Sequence, residues 1–60
     1  MSRLESTFGQ MESVMENSYL DLYKFVEGNK SAGTRVRKSM QELKSLAQDI
    51  RIEVQKQKNA

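Results

Sequence analysis

Cysteine, histidine, proline and tryptophan are all missing from this 60-residue chain. Without cysteine no disulfide can staple the fold, and nothing points to an oxidising compartment. With histidine gone as well, a zinc site in its usual forms is nearly excluded, and the commonest bases and nucleophiles of enzymes are lacking. The chain is therefore expected not to be an enzyme, with no catalytic residues, no metal site, no cofactor and no small-molecule substrate. The absence of proline and the presence of only three glycines leave long uninterrupted helices open to it. No apolar run approaches the roughly 20 residues that cross a bilayer. The N-terminus lacks the basic-then-apolar layout of a secretory signal. The expected setting is cytoplasmic, with no membrane partner.

What the chain does have is a helical repeat. Leu4, Phe8, Met11, Met15, Ser18, Leu22 and Phe25 follow alternating steps of four and three, and so do Val36, Met40, Leu43, Ala47, Ile50, Val54 and Gln57. This is the seam of helices packed nearly along one another, broken only by Ser18 and the terminal Gln57. The predicted fold is all-α, one domain over residues 1–60. Helix one covers about 3–27, a turn 28–29, and helix two about 30–57. Gly28 suits the left-handed position that closes a helix, and Asn29 caps the next. A later start, with Thr34 as cap and a longer loop at 29–33, is the alternative; it takes Ala32 off the face of Val36.

A turn this short makes an antiparallel hairpin. Folding about residues 30–31 pairs Leu22 with Met40, Met15 with Ala47 and Phe8 with Val54, with Val14 facing Leu46 beside the seam. Tyr19, Leu20, Tyr23, Val26 and Ile52 are left over as apolar groups that a lone hairpin cannot cover. A chain of this size buries only ~60% of the surface its unfolded form exposes. With disulfides excluded and a zinc site nearly so, a partner subunit is the remaining support. The expected assembly is a homodimer forming a four-helix bundle.

Charge divides unevenly at Gly28. Residues 1–28 carry two bases against five acids, and residues 29–60 carry eight bases against three acids, within a net charge of +2. Lys30, Arg37, Lys44, Arg51 and Lys58 recur every seven residues and so line one edge of helix two. In the expected register Glu5 faces Lys58 and Glu12 faces Arg51, while Arg37 and Lys44 meet Val26 and Tyr19. The inner half of the stripe thus lacks an acid. It joins a cluster in which Lys30, Arg35, Arg37 and Lys38 stand with Ser31, Thr34 and Ser39 and no carboxylate. Free N–H groups at a helix start and arginine's paired donors both suit phosphate; an ordinary solvated helix face is the bland alternative. Glu12/Glu16 and Asp49/Glu53 have the spacing to share a metal but read as solvated surface. Met11, Met15 and Met40 read as adaptable core filling. Tyr19 and Tyr23, one turn apart, suit an oligomer contact better than a stacking platform.

The segment Gly28-Asn29-Lys30-Ser31-Ala32-Gly33-Thr34-Arg35-Val36-Arg37-Lys38 resembles the bacterial linker-histone-like family, whose best-known members are the chlamydial histone-like proteins. Gln41-Glu42-Leu43-Lys44-Ser45-Leu46-Ala47 and Ile50-Arg51 followed by Glu53 extend the likeness. It is strongest over residues 25–58; the first helix is similar only in pattern. The resemblance implies a DNA-associated protein that compacts or organises the nucleoid, in contact with the phosphate backbone of double-stranded DNA. Lys30, Arg35, Arg37 and Lys38 are the matching basic residues, and Lys44 joins them from the stripe. Chlamydial members extend into a long lysine- and alanine-rich tail, the obvious DNA-binding part. This sequence stops at Ala60 without one, so it is expected to correspond to the folding or dimerising module. Binding is expected to be weak and independent of sequence. The competing class is a helical protein-interaction or oligomerisation module with no nucleic-acid role.

Overall fold

The structure, a computed structural model, describes residues 2–59; Met1 and Ala60, where the sequence ends, lie outside the described residues. Two helices, α1 (Arg3–Val26, 24 residues) and α2 (Lys30–Lys58, 29 residues), lie antiparallel in a single layer measuring 49 × 18 × 11 Å. Ser2 caps α1, its hydroxyl accepting from the Glu5 N–H at 3.2 Å. Glu5, three residues beyond the cap, also places a carboxylate in the first turn, where the helix dipole favours it.

The chain reverses through three residues. The N–H of Gly28 donates to the Phe25 carbonyl and that of Asn29 to the Lys24 carbonyl, both at 2.9 Å, which is the Schellman closure of a helix. Gly28 has φ +110°, the one positive φ among the described residues. Asn29 ends α1 by that bond and starts α2 by another, its side-chain oxygen accepting from the Ala32 N–H at 3.1 Å. The earlier of the two expected starts of helix two is therefore the one adopted.

The level at which the helices stand side by side departs from expectation. Arg35 Nε donates to Asp21 at 2.8 Å, Arg3 approaches Glu53 at 3.9 Å, and Gly33 lies against the ring of Phe25. Each of these places the fold axis at residues 28–29, not 30–31. Every residue of α1 thus stands beside a residue of α2 about one helical turn nearer the bend. The expected pairs Glu5–Lys58 and Glu12–Arg51 do not form; the ion pairs among the described residues are Asp21–Arg35 and Arg3–Glu53. The layers drawn from Leu22–Met40, Met15–Ala47 and Phe8–Val54 slip by the same amount.

The seam is also rotated. Between the helices lie Leu4, Thr7, Met11, Val14, Ser18 and Asp21 from α1, with Ala32, Val36, Ser39, Leu43, Leu46 and Ile50 from α2. Phe8, Met15, Leu22, Met40 and Val54, expected in the seam, are 40–56% exposed. Small side chains explain the turn of the helices. Ala32 is fully buried, and Thr7 and Ser18 are nearly so. The two hydroxyls donate to carbonyls of their own helix, Thr7 to Arg3 at 2.9 Å and Ser18 to Met15 at 2.8 Å, so burial leaves no polar group unpaired. Small residues let the axes approach and leave the larger ones on one outer face.

Gly33 belongs to the same close approach: a Cβ there would lie 2.5 Å from Cδ1 of Phe25. Gly28 and Gly9 offer a cleaner contrast, because neither has a neighbouring atom within 4 Å of an added Cβ. Gly28→Ala meets only backbone strain and should lose about 1–3 kcal/mol. Gly9→Ala, inside α1, should gain about 0.5–1 kcal/mol. Urea unfolding of the two variants beside the parent checks both signs.

Candidate functional site

The rotated seam gives the hairpin two unlike sides. On one, a groove between the helices is lined by Ser6, Gly9, Gln10, Ser13, Asn17, Ser39 and Glu42, with Val14 and Leu46 at its floor. On the other, Phe8, Met11, Met15 and Tyr19 of α1 meet Met40, Leu43 and Ala47 of α2 along an apolar groove. Toward the turn this apolar side continues over Leu22, Phe25 and Val36. The hairpin therefore has one polar and one apolar face, and the apolar one is large for an isolated molecule.

The basic stripe forms a rim of that apolar face. A seven-residue spacing keeps Lys30, Arg37, Lys44 and Arg51 in a row. Lys44 lines the groove with Met40 and Tyr19, while Lys30 and Arg37 border Leu22 and Phe25 nearer the turn. Lys44 and Arg51 also flank Gln41 and Gln48 on the outer side of α2. Across the apolar face, the rim supplied by α1 carries Glu12 and Glu16. One rim is basic, and the opposite rim is acidic over the first half of α1.

The five residues singled out for phosphate contact are not brought to one place. Lys30, Arg37 and Lys44 share the row, and all are exposed. Lys38, about 100° further round the helix than Arg37, stands on the outer back of α2. Arg35 is turned toward α1, where its Nε is held by Asp21. None of Lys30, Arg37, Lys38 and Lys44 pairs with a carboxylate among the described residues. The Asp21–Arg35 bridge escapes a reading of the sequence that folds the chain two residues too late.

The remaining candidates have structural partners. Glu53 receives Arg3 at 3.9 Å and the Gln57 side-chain amide at 3.3 Å, which engages the acid once grouped with Asp49. Tyr19 and Tyr23 stack with ring centroids 6.3 Å apart and planes 22° from parallel, both exposed on the α1 edge of the apolar face. No described helix is long and apolar enough to cross a membrane.

No curated protein and no solved structure matches the chain. A family model does, and it runs through nearly all of α1, the turn, α2 and both faces described above. The family is described as "Histone H1-like protein Hc1", its match spans residues 5–60, and the chain belongs to it.

Proposed function

We propose that this chain is a histone-like, nucleoid-associated protein that self-associates and binds double-stranded DNA weakly and without sequence specificity. The observation that carries the reading is a row of exposed cations, Lys30, Arg37 and Lys44, free of described carboxylates, in a member of a histone H1-like family. Lysine and arginine spaced along a helix edge neutralise phosphates without reading base edges, so affinity falls with salt and ignores sequence. Lys38 adds a cation behind the row. Arg35 contributes less, because Asp21 already engages one of its donors. The proposed unit is one folded hairpin over residues 1–60, without cofactor or catalytic role, resident on the nucleoid.

Self-association is supported by the apolar face. Among the described residues the hairpin buries no large side chain completely, while Phe8 is 56% and Leu22 41% exposed. Fully covering each such side chain contributes about 1.5–3 kcal/mol, more than any exposed ion pair here supplies. The same face could instead take a helix of another protein, which is the second reading: an interaction module without DNA.

Binding of random duplex DNA, followed by fluorescence anisotropy across a salt series, separates the readings. The triple variant Lys30→Ala, Arg37→Ala, Lys38→Ala should flatten the log K against log salt slope by ~0.9 for each phosphate no longer neutralised. Arg35→Ala should flatten it less. Unchanged binding in the triple variant overturns the site, and no binding at low salt leaves only the interaction module.

Assembly has its own test. The Tm of the parent should rise with protein concentration, because association stabilises the folded chain by mass action. A Tm independent of concentration, from a species that scatters light as a monomer, excludes self-association.

A further inference from the structure

Resting on the self-association reading, we infer that the second copy docks with its turn at the same end, so that α1 of each copy lies on α2 of its partner. Two copies related by a two-fold axis bury the same patch on both sides. Two such axes can bring the apolar faces together. An axis across the helices sets α1 on the partner's α1 and α2 on the partner's α2, with the turns at opposite ends. An axis along the helices sets α1 on the partner's α2, with both turns at one end. Apolar area is buried either way, and neighbouring helices are antiparallel either way. Charge is what differs.

The apolar face has a basic rim on α2 and an acidic one on α1, at Glu12 and Glu16. With the turns at opposite ends, the acidic rims oppose each other and the row Lys30, Arg37, Lys44, Arg51 opposes its own copy. Like charges face to face weigh against that arrangement. With the turns together, each acidic rim meets a basic one.

Heights along the bundle agree with this. The contacts Arg3–Glu53 and Asp21–Arg35 show which residues of the two helices stand level. By the same offset Glu12 is level with Lys44, and Tyr19 with Arg37. An axis along the helices preserves height, so Glu12 meets the partner's Lys44 and the Tyr19 ring meets the partner's Arg37, a cation over an aromatic face. Lys30 finds no acid in the partner rim, which is Val26 at that level. Arg37 and Lys44, free in a single hairpin, are then shared with the partner. The cations left wholly to phosphate are the two copies of Lys30 and Lys38 at one end of the bundle, where an anionic polymer would meet them first.

The absence of native cysteine allows single labels. Spin labels on Ser31→Cys, beside the turn, should lie within roughly 30 Å of each other across the dimer, a few helix diameters. Turns at opposite ends of hairpins 49 Å long would separate them by well over that distance. The second measurement is charge reversal. Glu12→Lys and Lys44→Glu should each weaken dimerisation several-fold, and the two combined in one chain should restore it. A monomer in every sample overturns self-association itself. A dimer with long label distances, or one strengthened by Glu12→Lys, overturns the orientation and leaves self-association standing.

Discussion

Two hydrogen bonds, from the Gly28 and Asn29 N–H groups back to Phe25 and Lys24, set the geometry of the whole hairpin. They fix where α1 stops, and the Asn29 side chain fixes where α2 begins. With no slack between the helices, their relative height is determined within the turn. Everything further along inherits it: Gly33 must admit the Phe25 ring, Asp21 comes within reach of Arg35, and Arg3 comes near Glu53. The long-range contacts are consequences of the reversal and not its cause. The exposed ion pairs are each worth at most about 1 kcal/mol, too little to hold a register against a turn of different length.

The second constraint is one of area. A helix carrying apolar groups over a wide arc can present only part of that arc to a single neighbour. Here the part presented is the one with the smallest residues, Thr7, Ser18, Ala32 and Ser39, and the bulky residues remain outside. Burial and charge then do different work at the surface. Apolar side chains can supply the larger share of any association energy, whereas charged rims decide which partners and orientations are tolerated.

The two helices and their antiparallel course were legible in the sequence because local signals agreed: a closing glycine, an asparagine cap and a heptad pattern broken only at Ser18 and Gln57. So was the family, from the run Gly28 to Lys38. Half of the seam was legible too; Leu4, Met11, Ser18, Val36, Leu43 and Ile50 lie between the helices as the spacing suggests. What failed was the choice between two adjacent stripes. Both flank those positions; hydrophobicity favoured Phe8 and Met40 over Thr7 and Ser39, and the four-three step then set Met15 in the seam and Val14 beside it. A threonine or serine whose hydroxyl returns to its own helix packs as a small apolar group, which its letter does not reveal. The candidate cations could be picked out as residues but not placed in space. Whether Arg35 belongs with Lys30 and Arg37 or with Asp21 depends on the register, and moving the bend by two residues changes the answer.

The groove of Ser6, Gln10, Ser13, Asn17 and Glu42 on the reverse side carries a consequence for growth. Once the apolar groove of such a layer is covered, the groove left on its other side is bordered by hydroxyls, amides and a carboxylate. Head-to-tail addition needs two different sticky surfaces on each subunit, and a polar groove is poorly suited to be the second. Association through the apolar face alone would close at a pair with its polar grooves turned outward.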